Sequence, residues 1–179
     1  IESNTSYQVT AISESSEKAR KSIPEGMTVY NDYKTLIASA ELDVIFISLP
    51  NQFAAEAACL SLQNGLHVFC EKPPARTHAE LLEVEKQSLK FPELKLMYGF
   101  NHRFHLSVEE AKLLIDSNSL GRLINMKGVY GKSQMISFNQ TDWRTNREAS
   151  GGGILLDQGI HMLDLMRYLS GENFTEVFS

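Results

Sequence analysis

Short apolar runs recur through the first half of the chain and alternate with segments of helical periodicity. Runs rich in β-branched and aromatic residues predict strands, and Val44–Ile47 is continuous enough for a strand that is covered on both faces. Helical segments separate the runs, which favours parallel pairing because parallel strands need a crossover connection. The predicted strands are 7–12, Val44–Ile47, His67–Cys70 and 94–98.

The helical segments carry capping residues at their starts. Thr77 and Glu80 have the Thr-x-x-Glu spacing of a capping box, in which each residue satisfies a free backbone N–H of the first turn. Asp32 and Asn51 are also suited to capping, since their side chains accept from the first backbone amides of a helix. The predicted helices are 17–22, Tyr33–Ser39, a segment from Asn51 to Gly65, and a segment from Thr77 to about residue 88.

This order of elements is a repeated β-α-β unit. It predicts an α/β fold with right-handed crossovers and a doubly wound, Rossmann-type parallel sheet. Ligands of such sheets bind at the carboxyl ends of the strands, so polar residues that directly follow a strand are the first candidates for chemistry.

The pattern changes near residues 99–105, which we interpret as a domain boundary. Ser107 and Glu110 form a second capping-box spacing before a helix to about Ser117, and residues 123–130 have a strand pattern. Residues 131–150 are polar, and a loop of this length in a compact chain is usually functional. Predicted units are therefore a dinucleotide-binding domain over 1–100 and an α+β domain over 101–179, whose later elements are a helix over 154–169 and the start of a strand after residue 173.

Composition narrows the class of protein. The chain has 179 residues, 42% of them hydrophobic, and a net charge of 17 − 22 = −5. These values exclude a disordered chain, and the scattered basic residues argue against a nucleic-acid partner. No apolar run approaches the length of a membrane span. Cys59 and Cys70 lie outside any C-x-x-C spacing, so we expect a reduced, cytoplasmic protein without a zinc site.

Lys72 is the first chemical candidate. It lies in Glu71-Lys72-Pro73-Pro74, directly after a predicted strand and therefore at the carboxyl edge of the sheet. A lysine fixed there can donate a hydrogen bond to a substrate oxygen. The alternative is a turn in which the prolines end the strand and the charges are solvated.

Asp157 and His161 form the second candidate. In an α-helix residues four apart share a face, and Asp164 continues that face. The other positions of this helix are apolar, so the pair is expected to be buried. Histidine is the natural general base near neutral pH, and a carboxylate can orient it. A structural ion pair is the alternative, and a metal site is disfavoured because a third ligand is absent nearby.

Ser13 and Glu14 end the first predicted strand. An acidic residue at the end of a Rossmann strand commonly binds the ribose hydroxyls of a dinucleotide, and Glu14 is a candidate for that role. The absence of arginine at 14–17 favours NAD over NADP. Asn51, after Leu49 and Pro50 at the next strand end, is either a dinucleotide contact or a helix cap.

Several motifs together resemble the Gfo/Idh/MocA family of NAD(P)-dependent oxidoreductases. Each motif is modest alone, but their order and spacing along nearly the whole chain are specific. They are Leu49-Pro50-Asn51, His67-Val68-Phe69-Cys70-Glu71-Lys72-Pro73, Gly99-Phe100-Asn101-His102-Arg103-Phe104, Trp143-Arg144, the run from Gly151 to His161, and Leu163-Asp164.

The resemblance implies hydride transfer between a nicotinamide and a hydroxyl-bearing carbon of a sugar, nucleotide sugar or cyclitol. It implies that His161 and Lys72 handle the hydroxyl proton as a pair and that Asp157 positions base and substrate. It also implies a second domain with an open antiparallel sheet and a homo-oligomer, dimer or tetramer. Cofactor-side residues would be Ser13, Glu14, Leu49, Pro50, Asn51, Glu71 and Lys72, and substrate-side residues Arg103, Trp143 and Arg144.

Departures from the family pattern leave two alternatives open. The family's Gly-x-Gly-x-x-Gly turn is absent from this sequence, and Ser13 and Ala54 stand where many members carry Asp and His. We therefore expect a chain truncated at both ends. A non-catalytic sensor of dinucleotides or sugars on the same scaffold, or an NAD-dependent glycosidase, is the alternative function.

Overall fold

Two short parallel strands open the fold. The computed structural model describes residues 6–131 and 143–178. Strand β1 (Ala11–Ser13) pairs in parallel with β2 (Thr28–Tyr30), and Ile12 lies opposite Val29. Helices α1 (Glu17–Arg20) and α2 (Tyr33–Ser39) follow the two strands. Strand β1 is thus shorter than the strand predicted over 7–12 and begins later in the chain, and the sequence pattern does not predict β2.

Three further strands form a second parallel sheet, in the order β3-β4-β5. Its elements alternate with helices, as the sequence predicts. Ile45 lies opposite Val68, and Val68 opposite Leu96, so the register brings the carboxyl ends of the strands to one edge. In chain order they are β3 (Val44–Ile47), α3 (Asn51–Gln63), β4 (His67–Cys70), α4 (His78–Lys90) and β5 (Leu96–Tyr98).

The parallel α/β class is confirmed, but the described strands form two sheets rather than one continuous sheet. A cavity of about 400 Å³ separates β1 from β3 and is lined by both strands and by α2. Continuity across it would need a strand that pairs with both edges, and none of the described residues supplies one.

Before residue 100, two of the three helices with a predicted cap residue have that cap in the structure. Asp32 accepts from the Thr35 amide at 2.8 Å, and Thr77 accepts from the Glu80 amide at 3.2 Å, as predicted. Asn51 is not a cap: it is the first residue of α3, and its side chain makes a different contact, described below. The main core lies between α2, α3 and the sheet and contains Leu36, Ile37, Ile45, Ile47, Ala54, Ala57, Ala58, Leu62, Leu66, Val68 and Cys70.

Beyond residue 100 the described ranges contain helices but no strand. Helix α5 (Leu106–Asp116) begins one residue before Ser107, so the capping box predicted there is wrong. The strand predicted over 123–130 is also wrong, since these residues pair with none of the described strands; Gly128 instead packs against Met162 and Met166. Most of the predicted loop, residues 132–142, lies outside the described residues.

The chain then returns to the carboxyl edge of the second sheet. A 3₁₀ turn (Trp143–Thr145) and helix α6 (Arg147–Ser150) precede a π-helical turn (Leu155–Gly159), which leads directly into α7 (Ile160–Ser170). An earlier 3₁₀ turn (Asn101–Phe104) links β5 to α5. Within these described ranges no helix is long and apolar enough to cross a bilayer.

Candidate active site

Lys72 lies at the carboxyl edge of the sheet because β4 ends two residues earlier. Its ammonium donates to the carbonyl oxygen of Asp157 at 2.6 Å and to the Oδ1 atom of the same residue at 3.1 Å. The lysine side chain is only 16% exposed. The peptide bond to Pro73 is cis. The structure therefore brings together two candidates that lie 85 residues apart in the chain.

Asp157 lies within the π-helical turn, not in regular α-helix. This turn changes the spacing on which the predicted Asp157–His161 pair depended, and π turns are frequent at functional sites. Burial alone would raise the pKa of Asp157, but hydrogen bonds from Gln158 and Lys72 outweigh it and lower that pKa. The carboxylate is thus held in its charged form between an amide and an ammonium.

His161 is buried in the first turn of α7, with only 5% of its surface exposed. Burial lowers its pKa, and the positive charges of His102 and Lys72 lower it further, while Asp164 and Asp157 act in the opposite direction. Among the described residues, no partner lies within hydrogen-bond distance of its Nδ1 atom. The ring is therefore a neutral base at pH 7, close enough to Lys72 for their charges to interact.

Arg103 contacts α7 rather than an open cleft. Its Nε atom donates to Oδ2 of Asp164 at 2.8 Å, and a second nitrogen of the guanidinium donates to Oδ1. Its guanidinium also lies over the rings of Phe100 and Tyr168, 5.7 and 5.2 Å from their centroids. Because Asp164 is buried, this bidentate pair fastens the 3₁₀ turn after β5 to the helix that carries His161.

Trp143 and Arg144 lie next to each other near the site. The guanidinium of Arg144 stacks over the Trp143 ring, 4.4 Å from its centroid. Its positive charge contributes to the lowered pKa of Asp157, which places Arg144 within electrostatic range of that carboxylate. The Trp143–Arg144 stack therefore lies near the Asp157 carboxylate.

Asn51 anchors the loop that precedes the site. Its buried amide donates to the carbonyl oxygen of Ser150 at 2.8 Å. Arg76, after the Lys72 turn, donates to the carbonyl oxygen of Glu148. Gly151 packs against Arg76 so closely that a Cβ at this glycine would lie 2.5 Å from the Arg76 Cβ. These contacts hold the glycine-rich segment against the sheet edge.

The remaining cofactor candidates lie at the carboxyl ends of β1 and β3 and directly after β4. Ser13, Glu14 and Leu49 line the cavity between β1 and β3. The Glu14 carboxylate accepts from the Ser16 amide at 2.8 Å, which keeps it at the strand end. Pro50 precedes α3, and the Glu71 carboxylate lies over Gly99, where a Cβ would approach it to 3.2 Å.

The donor set at this edge fits part of a nicotinamide dinucleotide. Ser13 and Glu14 provide a hydroxyl and a carboxylate at the end of β1, suited to ribose hydroxyls. The Glu71 carboxylate occupies the space that a side chain at Gly99 would take, directly before Lys72 in the chain. A phosphate-binding glycine turn is not among the residues of this sequence, so these residues fit the ribose portion only.

Two neighbours of the site were not predicted as functional residues. The His102 ring is stacked on His161 with a centroid distance of 4.1 Å and an interplanar angle of 10°. Tyr130 lies nearly parallel to both rings. His102 was visible in sequence only as part of a motif, because a stacking contact across 59 positions leaves no local periodicity. In the described ranges, no group of His, Cys, Asp and Glu is arranged to hold a metal ion.

Parallel strands joined by crossover helices define a Rossmann-type α/β protein. A lysine, a carboxylate and a histidine lie at the carboxyl edge of its strands. Residues 1–99 match the family profile described as "Oxidoreductase family, NAD-binding Rossmann fold", and residues 108–179 match the profile described as "GFO/IDH/MocA C-terminal domain". The chain therefore belongs to the Gfo/Idh/MocA oxidoreductase family.

Individual relatives support this membership. D-glucoside 3-dehydrogenase of Escherichia coli K12 is 33% identical over 151 residues, which are 80% of this chain and 40% of that protein. Myo-inositol 2-dehydrogenase from Lactobacillus plantarum has a TM-score of 0.80 at 29% identity, over 93% of this chain and 50% of that one. Levoglucosan dehydrogenase in complex with NADH and levoglucosan has the same TM-score and identity, over 91% of this chain and 45% of that one. The chain thus spans half or less of the length of these relatives.

Proposed function

We propose that this chain carries the proton-handling centre of a dehydrogenase that uses NAD or NADP and oxidises a hydroxyl-bearing carbon of a sugar, nucleotide sugar or cyclitol. The observation that carries the proposal is the fixed ammonium of Lys72. Two of its N–H groups are directed at Asp157, at 2.6 and 3.1 Å, and an ammonium has three donors. The third is available for a substrate oxygen at the carboxyl edge of the sheet.

His161 supplies the complementary group. A hydroxyl that becomes a carbonyl loses a proton from oxygen and a hydride from carbon. The neutral imidazole accepts the proton, and Lys72 donates a hydrogen bond to the same oxygen and stabilises its negative charge as the proton leaves. The lowered pKa of His161 keeps the base form populated at neutral pH. Asp157 orients the lysine throughout.

The nicotinamide cofactor, when bound, accepts the hydride. Ser13 and Glu14 would hold its ribose, and Glu71 would flank its nicotinamide beside Lys72. Leu49, Pro50 and Asn51 would border the dinucleotide at the end of β3. A relative at the same TM-score as the inositol dehydrogenase is described in complex with NADH, which supports NAD for this chain.

The substrate class is supported by the names of the relatives. They are dehydrogenases of a glucoside, of levoglucosan and of inositol, all polyhydroxylated rings. Arg144 and Trp143 provide a cation and an aromatic face near Asp157, a combination suited to hydroxyl groups and the apolar face of a sugar. We propose both as substrate contacts. Arg103 would act on the substrate side indirectly, by holding α7 in place through Asp164.

The test uses Lys72→Met and His161→Asn in the full-length protein, with Lys34→Met as the matched control. Lys34 also forms an ion pair, with Glu56 at 2.6 Å, but on an exposed helix surface. We expect kcat to fall by roughly 10²–10⁴-fold in the two site variants, as for loss of a general acid or base. NADH binding, followed by fluorescence, stays unchanged in His161→Asn, and Lys34→Met keeps full activity. The substrate panel contains sugars, UDP-sugars and cyclitols, read by nicotinamide absorbance.

Three outcomes contradict the proposal. Unchanged kcat in both site variants removes Lys72 and His161 from the chemistry. A full-length protein that binds NADH but transfers no hydride to or from any member of the panel is a sensor. Release of free sugar from a glycoside without net reduction of cofactor identifies a glycosidase.

A further inference from the structure

The imidazole rings of His102 and His161 are stacked face to face at the candidate active site. Their centroids are 4.1 Å apart and their planes differ by 10°. The Tyr130 ring is also nearly parallel, 5.7 Å from His102 and 6.3 Å from His161. Such a stack fixes the plane of the His161 ring, because rotation of either imidazole out of the plane would collide with its neighbour.

The two histidines differ in exposure. His161 is buried, and no described residue lies within hydrogen-bond distance of its Nδ1 atom. His102 is half-buried and contacts the exposed His105, whose ring centroid is 5.3 Å away. The charged form of His102 is therefore better hydrated than the charged form of His161. Once His102 is charged, a second positive charge 4.1 Å away is disfavoured.

We propose that His102 is a positioning residue for His161, which stacks on the buried ring, fixes its plane, and takes up the first proton as pH falls, so that His161 remains the neutral base. The inference rests on the proposed function for the role of His161. It adds a residue that shields this base from solvent protons.

Other charges around the stack act in both directions. Lys72 opposes protonation of both histidines, and Asp164 favours it in both; His105 acts on His102, and Asp157 acts on His161. Burial and positive neighbours lower the pKa of both rings, and the charge of His102 is one of the causes that lower the pKa of His161. These effects agree with protonation of His102 before His161. The groups facing the stack are Lys72, His105, Tyr130, Asp157 and Asp164.

The order of protonation is tested by NMR titration of ¹³C-labelled histidine rings in the full-length protein. The variants His102→Phe and His161→Asn assign the two signals. In the unmodified protein, we expect His102 to titrate at higher pH than His161. In His102→Phe the aromatic face is kept and the charge is removed, so the His161 midpoint moves to higher pH. Equal midpoints in the unmodified protein, or a His161 that titrates first, overturn the proposal.

His105→Phe is the matched control. Its ring touches His102 but does not act on His161, so the midpoint of His102 moves to higher pH while that of His161 stays in place. A His161 midpoint that is unchanged in His102→Phe, or that moves as far in His105→Phe, contradicts the proposal. Because the titration needs no substrate, its failure is distinguishable from failure of the proposed dehydrogenase.

Discussion

At the scale of single residues, Asp157 has two separate effects on its neighbours. Its carbonyl and carboxylate oxygens accept from Lys72, and its negative charge also favours protonation of His161. Without the carboxylate, the Asp157 carbonyl oxygen would still accept from Lys72, but the negative charge near His161 would be lost. A change from aspartate to asparagine therefore separates the two effects.

We expect Asp157→Asn to move the acid limb of the kcat/KM profile to lower pH. Without the carboxylate, one of the two groups that raise the pKa of His161 is gone, so that pKa falls further, and this limb reports the base of the free enzyme. We also expect kcat to fall by roughly 10²-fold, because Lys72 loses part of its orientation. Steady-state kinetics across pH measures both.

Glu56→Gln is the control for this variant. Glu56 also accepts from a lysine, at 2.6 Å, but far from His161. The acid limb of the kcat/KM profile of Glu56→Gln should match that of the unmodified protein. An acid limb of Asp157→Asn that is unmoved, or moved to higher pH, would show that this carboxylate does not act on the base.

The sequence indicates the candidate site residues but not the contacts between them. Lys72, Asp157 and His161 were identifiable because their residue types follow a strand or lie on an apolar helix. The hydrogen bond between Lys72 and Asp157 was not identifiable, since it joins segments 85 residues apart. The predicted Asp157–His161 pairing assumes regular α-helical spacing, and no local pattern in the sequence indicates the π-helical turn.

At the scale of elements, the ends of two helices differ in an informative way. Gly151 follows α6 with φ +81°, and Gly171 follows α7 with φ +71°. Both backbones lie in the left-handed region that disfavours any side chain. Only Gly151 is also crowded, with Arg76 atoms 2.5 and 2.7 Å from a Cβ placed there, whereas nothing lies within 4 Å at Gly171.

Gly151→Ala should lower the free energy of unfolding by about 2–5 kcal/mol, the sum of left-handed strain and overpacking. Gly171→Ala should lower it by only about 1–2 kcal/mol, from strain alone. Denaturant unfolding of both variants, made in the full-length protein, measures the difference. Equal losses would mean that the Arg76 contact does not constrain the loop before Asp157.

Helices were predicted more faithfully than strands, for a physical reason. The helix after Thr77 has a local cap that the sequence displays, and the structure confirms it. Strand β2 has only three residues, two of them exposed, so it has no apolar run to detect. Residues 123–130 have a strand pattern but no partner among the described strands, and pairing is a property of the whole fold.

At the scale of the whole molecule, apolar surface is left uncovered. The cavity of about 400 Å³ between β1 and β3 leaves facing strand edges without a ladder between them in the described chain. Several large side chains beyond residue 100 are also exposed, among them Leu106 at 84% and Ile124 at 95%. Open edges and exposed apolar patches promote association.

A polypeptide of these 179 residues, made alone, should therefore associate, bind the dye ANS, and melt without a sharp transition. Light scattering, dye fluorescence and calorimetry measure these properties. Leu106→Glu and Leu113→Glu place charges on the exposed part of α5 and should reduce association and dye binding. Ser107→Glu, at an exposed position of the same helix, adds the same charge without removing apolar surface and serves as control. A monomer with a cooperative melt and measurable NADH affinity would contradict this expectation.

The contact between Lys72 and Asp157 also has a consequence for protein synthesis. Translation proceeds at about 5–20 residues per second, so Lys72 is made about 4–17 s before the carboxylate 85 residues further on. Asn51 likewise precedes its partner Ser150 by 99 positions. During that interval the nascent chain has an ammonium without its counter-charge and a sheet edge without its loop. The contact between Lys72 and Asp157 therefore forms late, after most of this segment has been translated.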